Sequence, residues 1–134
     1  MSQENVEVLR FGYEAFNQGD VLQAKSLVTA DVEWGTTGTF PGIEGVYRGP
    51  EALQAWTDAI RSAWEWFEVS LAELVRDEDD LLVVVERIRG RGRRSGVDVE
   101  MLTYAVYWAE DGKLRMRKAF NTREAALEAA GLSE

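Results

Sequence analysis

Acid–base chemistry in this 134-residue chain has to come from Asp, Glu, Tyr, Lys or Arg, because the sequence holds neither histidine nor cysteine. Their absence excludes Ser–His and Cys–His nucleophiles, thiolate metal sites and disulfides. A metal would be restricted to carboxylate ligands, which favour hard ions, and no EF-hand spacing occurs. No metal and no organic cofactor is therefore expected. A working base would be a buried carboxylate with a raised pKa. Glu86 is the one carboxylate set inside a predicted apolar strand, although pairing with a neighbouring arginine is the more ordinary role for such a residue.

Arginines fall into two patterns. Arg87, Arg89, Arg91 and Arg93 repeat with period two, which places them on one face of a strand. A nucleic-acid patch would need interleaved aromatics for stacking, and none stands between residues 86 and 96. A ladder paired with Glu68, Asp98 and Glu100 on adjacent strands is the expectation. Arg115 and Arg117 alternate with Leu114 and Met116. Either the apolar pair faces the helices and the arginines lie on the outer face, or the register is reversed and Arg117 and Asn121 enter the interior. An interior arginine, charged at every relevant pH, could bind a carboxylate or an enolate-like oxygen.

Aromatic side chains are numerous, with five Trp, four Tyr and five Phe. Any one of them can be plain core. As a group they can line a pocket for a planar molecule, with phenol and indole groups orienting it. The acidic run 77–80 reads as a solvated turn rather than an ion site.

These residues need elements to position them. The chain has the length of one domain, 1–134, and 46% hydrophobic with 29% charged residues is ordinary for a globular fold. A net charge of −9 disfavours nucleic acid and anionic membranes as partners. No apolar run is long enough to span a bilayer, and the opening residues lack the basic and apolar regions of a secretory signal, so a cytoplasmic protein is expected.

Val6, Leu9, Tyr13 and Phe16 recur at helical spacing over residues 3–17. Gly19 stops that helix and Asp20 caps a second, whose apolar face would hold Val21, Leu22, Ala24, Leu27 and Val28. Val32 and Trp34 share a face of a short strand. A loop at 35–49 rich in glycine follows, and then a helix from Pro50 to about 65 carrying Leu53, Trp56 and Ile60.

Beyond it the period drops to two. Strands are predicted from Phe67 to Arg76, from Leu81 onward, from Val97 to Ala109 and from Leu114 to Phe120. Asp111-Gly112 is a hairpin signal, and Thr122 can cap a final helix that ends at Gly131. The order α-α-β-α-β-β-β-β-α implies an α+β architecture, an antiparallel sheet with helices on one side.

Several stretches together resemble one family. Asn17-Gln18-Gly19-Asp20, Asp31-Val32-Glu33-Trp34, Gly45 to Leu53, Asp111-Gly112-Lys113 and Arg123 to Leu132 are similar to SnoaL-like proteins. These belong to the nuclear-transport-factor-2-like, cystatin-like superfamily, which includes ketosteroid isomerases, polyketide cyclases and limonene-epoxide hydrolases. The resemblance covers nearly the whole chain. It implies a curved sheet wrapped by helices into a cone with an internal apolar pocket, and a homodimer formed through the sheet.

The resemblance does not extend to ketosteroid isomerase chemistry. The positions matching that enzyme's tyrosine donor, base and second acid fall near Gly12, Thr36 and Ala105, none of which carries the required group. What it implies is a pocket for a small apolar or carbonyl-containing molecule, lined by Tyr13, Phe16, Trp34, Trp56, Tyr104, Tyr107, Arg117 and Asn121. Isomerase-, cyclase- or hydrolase-like activity without a cofactor stays open. So does a non-catalytic dimeric interaction domain whose interior is filled by its own side chains.

Overall fold

The computed structural model describes residues 2–35 and 45–132. The amphipathic stripe at the start forms α1 (Ser2–Asn17), with Leu9 and Tyr13 buried and Val6 and Phe16 half-buried against the same core. Asp20 caps α2 (Val21–Ser26) by accepting from the Gln23 backbone N–H at 3.1 Å. This helix is shorter than the apolar pattern suggested: Leu27 already caps it, Val28 opens a strand, and no residue of it is buried. Leu22, expected on its inner face, is 81% exposed.

Next come β1 (Val28–Gly35) and β2 (Val46–Arg48), a three-residue strand inside the stretch read as loop. It pairs with Glu33, Trp34 and Gly35. The third helix, α3 (Ala52–Ala63), buries Leu53, Trp56, Thr57 and Ile60 and passes directly into the next strand at Trp64.

Four long strands then run as successive hairpins: β3 (Trp64–Glu78), β4 (Leu81–Gly92), β5 (Asp98–Glu110) and β6 (Lys113–Phe120). Two of the connections are two-residue turns with positive φ at both central positions. One is Asp79 (42°) and Asp80 (63°), the other Asp111 (50°) and Gly112 (79°). Asp and Gly tolerate that conformation, and such turns match the twist of the flanking strands. Register shifts at Glu65, Ala72 and Val75 bend the long edge strand β3, as bulges do.

The sheet order is β2-β1-β6-β5-β4-β3. It departs from the predicted all-antiparallel arrangement in one place, because β1 lies parallel to β6. Hairpin logic governs only strands that follow one another directly, whereas β1 reaches β6 by a path through α3 and four further strands.

The helices are also not all on one side. Helices α1 and α3 pack on the face that carries Leu82, Val84, Ile88, Ala105 and Tyr107. The last helix, α4 (Arg123–Ala129), covers the reverse face through Ala126 and Leu127 against Val83 and Val106. Unbroken apolar runs at the start of β4 and along β5 are thereby explained, since both faces are covered there. Among the described residues no helix is long and apolar enough to cross a membrane.

Candidate functional site

Three polar side chains of the sheet, Glu86, Tyr107 and Arg117, meet on the face under α1 and α3. Trp34, Arg117 and Tyr107 are Cα partners in one row across β1, β6 and β5. Glu86 lies four residues along β4 from Leu82, the partner of Tyr107.

The position of Arg117 depends on a bulge. Trp108 pairs with Met116 but Ala109 pairs with Leu114, so Arg115 has no partner on β5. The extra residue shifts the parity of the strand, and Leu114 and Arg117 both face inward. Neither simple register of the sequence holds, because each assumes strict alternation.

Glu86 is the hub and is fully buried. Its Oε2 accepts from the Tyr13 hydroxyl at 2.8 Å and from the Tyr107 hydroxyl. Its Oε1 accepts from Arg117 Nη2 at 2.7 Å and, more weakly, from the Thr103 hydroxyl at 3.5 Å. Arg117 also donates from Nε to the Tyr107 oxygen at 3.1 Å and from Nη1 to the Gly35 carbonyl at 2.7 Å. The rings of Trp34, Trp56 and Tyr107 enclose its guanidinium carbon at 5.7–5.9 Å from their centroids. A buried guanidinium beside a carboxylate is tolerated only when so fully bonded.

The network has settled protonation states. Burial, and then the charge of Glu86, raise the Tyr13 phenol well above its usual value. The same two causes raise that of Tyr107. For Arg117, burial works toward neutrality, but the Glu86 carboxylate and then Tyr107 outweigh it, so its pKa rises. Both phenols stay protonated and the arginine stays charged near neutral pH.

A cavity of about 40 Å³ adjoins this network. Tyr13, Glu86, Tyr107 and Arg117 form its polar part, while Leu9, Phe16, Trp34, Leu53, Trp56, Phe67 and Leu114 form much of the rest. At roughly 10–15 Å³ per water, this is room for about three waters. Pockets for drug-sized ligands run to about 300–1,000 Å³. Gly12 lies on the wall, where a Cβ would meet only Leu27 Cδ1 at 4.0 Å.

Six of the eight residues predicted to line a pocket are brought together: Tyr13, Phe16, Trp34, Trp56, Tyr107 and Arg117. Tyr104 is not, since it follows Thr103 by one residue and faces α4 on the reverse side of the sheet. Asn121 is not either; it lies just past the end of β6 and is exposed. Gly12 has no side chain and the adjacent Tyr13 directs its hydroxyl to Glu86, while Ala105 is buried with no polar group to offer. Thr36 lies outside the described residues. Thr103 and Thr57 were missed, because a threonine in a strand or helix carries no distinctive spacing.

The basic ladder is paired within the chain. Arg89 lies 3.6 Å from Glu68, Arg87 3.6 Å from Glu100 and Arg91 2.8 Å from Asp98. Arg93 departs from the ladder because β4 ends at Gly92, and it folds back to donate to the Arg61 carbonyl at 2.8 Å and the Trp64 carbonyl at 3.0 Å. In the acidic turn, Asp80 accepts from Asn5 Nδ2 at 3.0 Å.

The family model of the SnoaL-like domain matches residues 9–116, most of the chain. The chain belongs to the SnoaL-like family. No curated protein matches it. Among solved structures, this SnoaL-like chain is similar to an NTF2-like protein of unknown function from Burkholderia pseudomallei, 20% identical, with a TM-score of 0.77 and 96% of each chain covered. It is similar as well to Bal32a from a soil-derived mobile gene cassette, 25% identical with a TM-score of 0.74, covering 93% of this chain and 94% of that one. TerC, co-crystallised with polyporic acid, is 18% identical with a TM-score of 0.77, covering 91% of this chain and 94% of that one. These likenesses establish the NTF2-like cone as the fold.

Proposed function

We propose that this SnoaL-like protein binds a small, uncharged, largely apolar molecule in the cavity beside Glu86 and Arg117. The observation that carries the proposal is the polar network itself. Burying an ion pair and two phenols among aromatics gains little stability over an apolar core of the same volume. Four convergent polar groups at the wall of an aromatic cavity are the usual makeup of a ligand site. The Arg117 charge is neutralised by Glu86 at 2.7 Å, so the site has no surplus charge for an anion. This argues against the carboxylate ligand that an interior arginine first suggests. That a relative of the same fold was co-crystallised with polyporic acid is in keeping with a ligand-accepting interior.

Binding is better supported than turnover. Each Glu86 oxygen already accepts from two protein donors, among them both phenols and the guanidinium, so the carboxylate is not open to a substrate. The phenols, with raised pKa, are hydrogen-bonding groups rather than acids at neutral pH. The cavity of about 40 Å³ has to widen for a molecule of more than a few heavy atoms, and Phe16 and Phe67, both only half-buried, are the lining rings with most room to turn.

That small volume also favours a second reading, a dimeric interaction domain with a filled interior. Native mass spectrometry and thermal shift against a panel of small neutral alcohols, ketones and arenes separate the two. Saturable binding with a rise in Tm is expected. No binding across the panel, together with a concentration-independent dimer by ultracentrifugation, would establish the filled-interior reading instead.

A further inference from the structure

Hydrogen-bond polarity at the cavity wall can be read atom by atom. Glu86, held by a charged arginine at 2.7 Å, offers only acceptor oxygens. The hydroxyl hydrogens of Tyr13 and Tyr107 are therefore both directed to Glu86 Oε2. With its hydrogen committed, each phenol presents oxygen lone pairs to whatever else approaches. The Tyr107 oxygen already accepts from Arg117 Nε at 3.1 Å. Among the described residues nothing donates to the Tyr13 oxygen, and Tyr13, at 9% exposure, is the most accessible member of the network.

The donors near the cavity are bonded to the protein or buried. Each of the three Arg117 nitrogens donates to a protein oxygen, and three aromatic rings surround the group. The indole nitrogens of Trp34 and Trp56, whose rings line the cavity, are buried with less than 1 Å² of accessible surface each. Thr57 carries a hydroxyl that can donate or accept, so it does not decide the polarity.

We infer that the cavity recognises a hydrogen-bond donor on its ligand, an alcohol or phenol hydroxyl received by the Tyr13 oxygen, in preference to a carbonyl. This rests on the binding reading above and sharpens it to a ligand class. A carbonyl oxygen placed against Tyr13 would face lone pairs, and accommodating it would require the phenol to abandon Glu86. Sites built around a hydrogen bond to a hydroxyl discriminate strongly against analogues that lack it.

The test uses matched pairs on one carbon skeleton, cyclohexanol against cyclohexanone and 1-phenylethanol against acetophenone, titrated into the full chain by calorimetry or ligand-observed NMR. Each alcohol is expected to bind at least about tenfold more tightly than its ketone, the scale of one hydrogen bond in a buried site. In Tyr13→Phe the ratio is expected to fall to near one. A ketone that binds as tightly as its alcohol overturns the inference while leaving the binding reading standing. So does a preference that survives in folded Tyr13→Phe. If no member of either pair binds, the binding reading falls and the inference with it. The wild-type ratio decides the matter even if the variant fails to fold.

Discussion

Arg117 on β6 donates to Glu86 Oε1 on β4 at 2.7 Å, with β5 lying between the two strands. The pair thus ties together three strands at the base of the cavity. Breaking one partner leaves the other charge buried, which costs about 3–5 kcal/mol. Arg117→Met and Glu86→Gln are each expected to lose that much in urea denaturation. The double variant should lose at least about 1 kcal/mol less than the sum, since residues in one network are not additive. A fully additive double variant would show that the two groups are not coupled.

Stability should fall in alkali because of Tyr13 and Tyr107. Their folded-state pKa values are raised by burial first and by the Glu86 charge second. The unfolded chain therefore ionises these phenols near pH 10 while the folded chain resists. Their contribution is present below the unfolded value and is lost as pH rises past it. Spectrophotometric titration should show a late rise of the phenolate band that coincides with loss of the far-UV circular dichroism. Tyr13→Phe should shrink that late stage. A single early rise with the fold intact would show that both phenols are accessible.

Much of this was legible in the sequence, and the remainder fails for identifiable reasons. Helical spacing set Tyr13, Phe16 and Trp56 on apolar stripes and strand alternation set Trp34 on the face of Val32, while the pocket they line was what the family resemblance implied. Tyr104 was misassigned because β5 is covered on both faces, so its apolar run does not say which face is which. Arg117 could not be placed because the bulge at Arg115 breaks the alternation on which any register argument depends. Glu86 was visible as a lone carboxylate in an apolar strand. Its actual partner, 31 residues away, was not, because the pairing runs across an intervening strand. The parallel contact of β1 with β6 has no local signature at all.

Asn17, the last residue of α1, holds both exposed backbone groups of Val69 on the edge strand. Its Nδ2 donates to the Val69 carbonyl at 2.8 Å, and its Oδ1 accepts from the Val69 N–H at 3.0 Å. This side chain substitutes for a neighbouring strand at that point of β3 and fixes the helix that carries Tyr13. Removing two such bonds costs about 1–2 kcal/mol. Asn17→Ala is expected to lose that much stability and to speed hydrogen exchange at the Val69 amide. Unchanged protection at Val69 would show that the sheet does not depend on this contact.

Gly12 sits within α1, where glycine weakens a helix by about 0.5–1 kcal/mol relative to alanine. A Cβ there meets nothing closer than Leu27 Cδ1 at 4.0 Å, so nothing in the packing requires glycine. What glycine preserves is space on the cavity wall. Gly12→Ala should therefore raise Tm by about 2–4 °C, while Gly12→Leu should fill the cavity and abolish binding of cyclohexanol without unfolding the chain. The two variants together weigh the ligand site against the filled interior. If the larger side chain leaves alcohol binding intact, the ligand lies elsewhere. If Gly12→Ala destabilises, the glycine serves the helix packing and the space beside it has no bearing on binding.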